Sequence, residues 1–384
     1  MAMQQWIGSL RRAWRSVSVQ SFTWGLLAAG LLLAGCTAEP SASPTKTEVS
    51  PNDAQKYQSG DKAASTGGKA GASGDKPTVA FVTNGIASFW VIAEKGAKAA
   101  AEEAGVNVEV RMPAADGAVA NQKRMVEELL AMKVDGIAIS PIDPDNQTDL
   151  LNEAAAQTKL VTQDADAPKS KRLAYIGMDN YQAGRMCGKL IKEANPDGGK
   201  VILFVGRLEQ LNARMRRQGV IDELLDRAPD ATRNDPNDGE IKGEKYTILD
   251  TRTDNFDFAA AKALPEDALS RYPDVDCMVG LFAYNPPYIL EAVRGANKLG
   301  KVKVVAFDED DATLQAIKDG HCFGTIVQNP YRYGYDSVML LAKMAKGTAG
   351  ELPPNGFFNI DARAIKKDNV DEFWTELKKL TATE

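Results

Sequence analysis

From position 77 onward the chain repeatedly alternates short apolar runs with stretches of helical period, and few folds can absorb that pattern. TVAFVTN (78–84) precedes a helical stretch over 89–104 that stops at Gly105. VNVEVRM (106–112), DGIAISP (135–141), KLVTQD (159–164) and LAYIGM (173–178) read as further strands, with helices over 118–132 and 145–157. The pattern then restarts. A helix over 180–194 leads to KVILFVG (200–206), a helix over 211–227 to YTILDT (246–251), and a helix over 256–272 to CMVGLFA (277–283). KVVAFD (303–308) and FGTIVQ (323–328) complete the strand set, with helices over 287–297, 312–318, 331–346 and 370–380. Runs that are apolar throughout belong to strands buried on both faces, and helices between them supply the covering layers. The fold class is therefore α/β, with two doubly wound parallel-sheet lobes in succession.

The first 36 residues read as an address. Arg11, Arg12 and Arg15 form a basic front, and GLLAAGLLLA (25–34) is an apolar core of ten residues. A membrane-spanning helix needs about 20, whereas a secretory signal core is this short. The run ends in Leu33-Ala34-Gly35-Cys36, which resembles the bacterial lipobox. That resemblance implies cleavage after residue 35, acylation of Cys36, and a periplasmic or cell-envelope location with a lipid anchor to the membrane. The stretch 37–76 is rich in Ser, Pro, Gly, Ala, Thr and Lys and has no periodicity, so it reads as a tether with a reach of roughly 35 Å.

Charge and composition narrow the function. Acidic residues number 52 against 46 basic ones, and three of the basic ones lie in the leader. Such a surface repels phosphate backbones, so no nucleic-acid partner is expected. With one histidine, His321, a His-rich zinc site is excluded. There is no G-x-S-x-G elbow, dinucleotide fingerprint or Walker loop. No enzyme activity, cofactor or metal is expected. Asp143, Asp145, Gln147 and Asp149 alternate like a calcium loop but lack its central glycine and distal glutamate, so helix capping is the better role. Cys187, Cys277 and Cys322 read as buried thiols or one disulfide plus a thiol.

In doubly wound sheets ligands sit beyond the carboxyl ends of strands. Asn84, Phe89, Trp90, Asp164, Arg216, Asp254, Phe256, Asn285, Asp308 and Gln328 fall there. Carboxylates, amides and arginine can pair with neighbouring hydroxyls, and aromatic rings can cover C–H faces. The set suits a small sugar or polyol. For Phe89, Trp90 and Phe256 the competing role is core packing. For Asp308 it is a helix cap, and for Asn285 a turn.

The order VTN…SFW, VTQDADAP, YIGMDN…AG, NARMRRQG, TDNF, FAYN, VVAFDED and TIVQNP resembles the periplasmic sugar-binding proteins of the ribose/galactose type. These are substrate-capturing subunits of ABC importers, and they share a fold with lactose-repressor effector domains. The resemblance implies ligand contacts from Asn84, Phe89, Trp90, Asp164, Arg216, Phe256, Asn285, Asp308 and Gln328. It also implies an ABC permease as partner, membrane contact through the lipid anchor alone, and a monomer. The chain departs from the ribose pattern at Ala87, where an asparagine is expected, at Ala165, where an arginine is expected, and at Trp90, which replaces a phenylalanine. Asp166 is the expected compensation. The resemblance further implies a three-segment hinge, placed here at 178–180, 308–311 and 328–330. The expected organisation is a signal peptide (1–35), an acylated cysteine and tether (36–76), a first lobe of 77–178 plus 329–355, and a second of 179–328 plus 356–384. Two alternatives use the same scaffold. One is a sensory module for a chemoreceptor or kinase, with a sugar or a non-sugar ligand; the other is a glycosidase built on Asp164 and Asp308.

Overall fold

A computed structural model describes residues 76–114 and 118–382. The signal segment, Cys36 and almost all of the tether lie outside the described residues. Among those described, no helix is long and apolar enough to cross a membrane.

The first sheet has the order β12-β5-β4-β3-β1-β2 and every pairing in it is parallel. Its strands are β1 (Thr78–Val82), β2 (Asn107–Arg111), β3 (Gly136–Ile139), β4 (Lys159–Gln163), β5 (Ala174–Gly177) and β12 (Phe357–Asn359). Central β3 is buried at every position, whereas edge strand β2 carries Asn107, Glu109 and Arg111 and stays partly open. Helices α1 (Ser88–Ala104), α2 (Ala118–Ala131), α3 (Thr148–Gln157) and α9 (Pro330–Ala345) cover this sheet.

The second sheet has the order β13-β11-β10-β9-β6-β8-β7. Its parallel body is β6 (Gly199–Val205), β8 (Tyr246–Thr253), β9 (Cys277–Gly280), β10 (Lys303–Phe307) and β11 (Gly324–Val327). The short strands β7 (Ile241–Lys242) and β13 (Arg363–Lys366) close the two edges in antiparallel sense. The covering helices are α4 (Asn180–Ala194), α5 (Leu211–Leu224), α6 (Phe258–Arg271), α7 (Asn285–Gly295), α8 (Asp311–Asp319) and α10 (Val370–Thr381). Each sheet carries an apolar layer on both faces, as the unbroken hydrophobic runs demand.

Three connections join the sheets, and one differs from expectation. The chain crosses between β5 and α4 at 178–179 and between β11 and α9 at 328–329. The segment 308–311 is no hinge. It links β10 to α8, an ordinary crossover helix between two parallel neighbours of the second sheet. The third crossing lies at 360–362, because β12 pairs with β5 in the first sheet before β13 joins the second. The expected lobe boundary after 355 therefore moves to about residue 360. The helix expected from 256 starts at Phe258: Asn255 and Phe256 adopt left-handed backbone (φ 56° and 62°), and Asp257 caps the amides of Ala259 and Ala260.

Helices α4 and α5 cross at glycines. A Cβ at Gly184 would collide with the Arg216 carbonyl, and one at Gly219 with the Tyr181 carbonyl. This contact holds the helix that presents Arg216. We expect Gly219→Ala to lower unfolding stability by about 1–3 kcal/mol in denaturant titration. The control Gly295→Ala, where no atom stands near the added methyl, should leave it almost unchanged.

Candidate functional site

The carboxyl ends of both sheets face one interlobe cleft. Parallel register places Asn84 after β1, Ser140 after β3 and Asp164 after β4 on one rim. Asp308 after β10, Gln328 after β11 and the start of α5 form the other. The lobes are closed on each other. Ala283 of the second lobe joins the apolar cluster of the first that contains Phe89 and Trp90. Asn212 donates to Asp164 Oδ2 across the cleft at 3.1 Å, and Arg214 reaches Asp145 at 3.6 Å on the outer edge.

Arg216 stands at the centre, with 1% of its surface exposed. Its Nε donates to Asn180 Oδ1 (2.9 Å) and its Nη1 to the Leu281 carbonyl (3.1 Å). Its guanidinium lies over the Phe307 ring at 4.8 Å and the Phe282 ring at 5.6 Å. Asp164 Oδ1 is 3.7 Å from Nη2 and Asp308 Oδ1 is 3.8 Å from Nη1. Both separations are too long for a hydrogen bond. Nη2 has no hydrogen-bond partner among the described residues.

Asp164 Oδ2 accepts from Ser140 Oγ (3.0 Å), Asn212 and, at 3.4 Å, Asn84. Burial pushes its pKa from 3.8 to about 6, against the opposing pull of Arg216. Asp308 is also shifted upward by burial, and it accepts from Gln328 Nε2 at 2.6 Å. Gln328 in turn accepts from the Tyr333 hydroxyl at 3.0 Å. Trp90 donates its indole N–H to Asn84 at 3.1 Å and meets Phe89 edge-on at 4.8 Å between centroids. On the far side Phe256 stacks on Phe282 at 5.8 Å.

Asn84, Phe89, Trp90, Asp164, Arg216, Phe256, Asp308 and Gln328, eight of the nine residues named from the sequence as ligand contacts, line one cavity of about 50 Å³. Asn285 does not. Its amide donates to Asp254 Oδ2 (2.9 Å) and its oxygen accepts from the Phe282 amide (3.1 Å), so it serves as the turn residue that orients Phe282. Asp166 does not compensate for Ala165, because it is paired with Arg172 and hydrogen-bonded to Thr162 within the first lobe. The reading omitted Ser140, whose only signal is a hydroxyl at the end of an apolar strand. Gln210 and Phe282 also line the cavity without a sequence signal, whereas Asn212 and Tyr284 fall at strand ends in the sequence, where no ligand role is assigned to them, and the structure places both at the cavity. Asp143 does not cap the helix as expected: it accepts from the Asn146 amide within the preceding turn, and the N-cap of α3 is Gln147, whose side chain makes no capping hydrogen bond. The three cysteines in the body are free and buried. A larger hollow of about 470 Å³ opens at the amino ends of β3 and β4, beside Lys133, Asp135 and Lys159. It brings together no aromatic wall and no buried carboxylate.

The arrangement can hold a neutral, hydroxyl-rich ligand. One guanidinium faces two carboxylates, so an anion would meet surplus negative charge. A hydroxyl between Arg216 and Asp164 could accept from one and donate to the other.

Comparison with known proteins agrees. The periplasmic binding protein domain matches residues 78–349. The ribose import binding protein RbsB of Salmonella typhimurium is 27% identical over 278 residues, 71% of this chain and 86% of the relative. The D-ribose/D-allose-binding protein of Pseudomonas aeruginosa is 25% identical, covering 73% of this chain and 86% of the relative. A solute-binding protein of an ABC transporter from Burkholderia graminis, solved with D-arabinose, superposes with a TM-score of 0.69 at 26% identity. The superposition covers 78% of this chain and 98% of that one. With the matched domain spanning both lobes and the cleft between them, the chain belongs to the periplasmic binding protein family.

Proposed function

We propose that this protein is an extracytoplasmic, lipid-anchored receptor that binds a small sugar or polyol in the interlobe cleft and hands it, unchanged, to an ABC import permease. The observation that carries this reading is the loosely held Asp164–Arg216–Asp308 group between aromatic walls. Its members lie 3.7–3.8 Å apart, beyond hydrogen-bond distance, and Arg216 Nη2 is left as a donor that a ligand hydroxyl would satisfy. The relatives named for ribose, allose and arabinose support the same ligand class. Hinge closure around the ligand is the usual response of this architecture, and it would present both lobes to a permease at once. The lipobox-like end of the leader supports anchoring through Cys36, two acyl chains and an amide-linked third being enough for stable attachment.

Calorimetric titration with D-ribose, D-allose, D-arabinose, D-glucose and D-galactose should give saturable binding to at least one sugar, with the sugar recovered intact. Asp164→Ala should weaken it roughly ten- to a hundredfold, the worth of hydrogen bonds to a charged group. Chemical conversion of the sugar, or silence across the panel, would overturn the reading.

Cys36→Ser should move the protein from the membrane fraction to the soluble fraction of cells expressing it. Retention in the membrane would rule out the lipid anchor.

Closure should also depend on pH. Asp164 is buried at the interface with its pKa raised to about 6, and Asp310, which accepts from Ser88 across the lobes at 3.5 Å, is raised to about 6 as well. Asp308 is shifted the same way, while Arg216 opposes both shifts within the central group. A carboxyl whose closed-state pKa exceeds its open-state value binds more protons when closed. Closure is then favoured at low pH and weakens as pH rises from about 4 to about 6. The radius of gyration of the ligand-free protein, from small-angle scattering, should rise across that interval and level off above it. Asp164→Asn should flatten the rise.

A further inference from the structure

Gln210 is fully buried, yet neither the oxygen nor the nitrogen of its amide has a hydrogen-bond partner among the described residues. It occupies the N-cap position of α5 but does not cap the helix with its side chain. It lines the interlobe cavity instead. Of its polar neighbours there, Asn212 and Asn84 are engaged with Asp164 and Gln328 with Asp308 and Tyr333, while Arg216 Nη2 is a second group without a partner. A buried amide with both ends unpaired is unfavourable unless something entering the cavity pairs with it. On the opposite lobe the same cavity is bordered by Ala87, which has no polar group to offer.

We propose that Gln210 is a specificity-determining residue of this cleft, pairing through its amide with two neighbouring hydroxyls on the ring edge that faces the second lobe. The assignment rests on the sugar reading above. A primary amide presents an acceptor and a donor side by side, and adjacent hydroxyls can each take either role. A site built this way rejects an analogue lacking one of those hydroxyls, because Gln210 would again be left unpaired in a closed cavity.

The test uses the full chain in detergent, titrated with D-ribose, D-allose, D-arabinose, D-glucose and D-galactose, then with each monodeoxy derivative of the tightest binder. Relative to the unaltered protein, Gln210→Met should raise the Kd of that parent sugar roughly tenfold or more. The unaltered protein should discriminate strongly against one or two deoxy derivatives at adjacent positions, and Gln210→Met should lose that discrimination while keeping it elsewhere. The ligand-free thermal midpoint of Gln210→Met should hold or rise, since an unpaired buried amide is removed. Gln210→Asn, with the same groups on a shorter arm, should lose affinity to a smaller extent, and it stands in should the methionine variant not fold. An unchanged Kd, or a loss shared equally by the parent and every deoxy derivative, would overturn the assignment and leave the sugar reading intact. Failure of the unaltered protein to bind any of the five sugars would overturn both.

Discussion

The buried charge of Arg216 is the constraint around which the rest of the molecule is arranged. A guanidinium keeps its charge at any ordinary pH, and taking it out of water is costly unless its donors are met. Within the second lobe it finds Asn180, the Leu281 carbonyl, two aromatic faces and, at 3.8 Å, Asp308. Its remaining donor points to Asp164, and Asp164 belongs to the other lobe. Bringing the lobes together therefore completes the electrostatics of the second lobe as well as covering the ligand. Asn180 strengthens the link. It accepts from Arg216 while donating to the Tyr175 hydroxyl and the Met178 carbonyl at the first crossing, so the group at the centre of the cleft is wired to a hinge strand.

Both lobes use the same local device to aim their carboxylates. Asp164 and Asp308 each end a strand in left-handed backbone, at φ 58° and 69°. Each donates its amide to an isoleucine carbonyl of the next strand, Ile176 and Ile326. Each receives a hydroxyl on its own carbonyl, from Tyr175 and Thr325, at 2.8 Å. The left-handed turn sends the side chain off the strand path and into the cleft. Aspartate tolerates that conformation better than most residues, and the surrounding hydrogen bonds over-determine it. Helix packing repeats in the same way. Gly96 and Gly334 let α1 and α9 touch in the first lobe, as Gly184 and Gly219 do for α4 and α5 in the second.

What the sequence reveals follows from what leaves a periodic trace. Unbroken apolar runs such as GIAI and the helical spacing between them carry the parallel sheets, and strand ends then point to Asp164, Asp308 and Gln328. A crossing between lobes leaves no such trace. The family resemblance places a hinge at 308–311, where the structure has the β10–α8 link, while the true crossing at 360–362 hides between two short edge strands, β12 and β13. Site residues are obscured in the same way when a neighbour takes their polar groups. Asn285 is drawn to Asp254 and Asp166 to Arg172, and nothing local marks either choice. Gln210 is the converse: it sits in a featureless loop, and only its burial without partners singles it out.

The closed cleft leaves about 50 Å³, room for a few waters and far less than a pentose ring requires. Asn212 and Arg216 occupy that space from the second lobe by reaching Asp164 directly. These groups also line the cleft, so a sugar that engaged them would compete for the interlobe contacts they make. That competition works as a filter. A ligand with a single hydroxyl replaces one contact and leaves the others broken, at a cost of about 1–3 kcal/mol for each buried group left unpaired. A ligand with several neighbouring hydroxyls could replace the Asn212–Asp164 and Arg216–Asp164 contacts together. Under the proposed function, a preference for polyhydroxylated rings would follow from these interlobe contacts before any single hydroxyl is read.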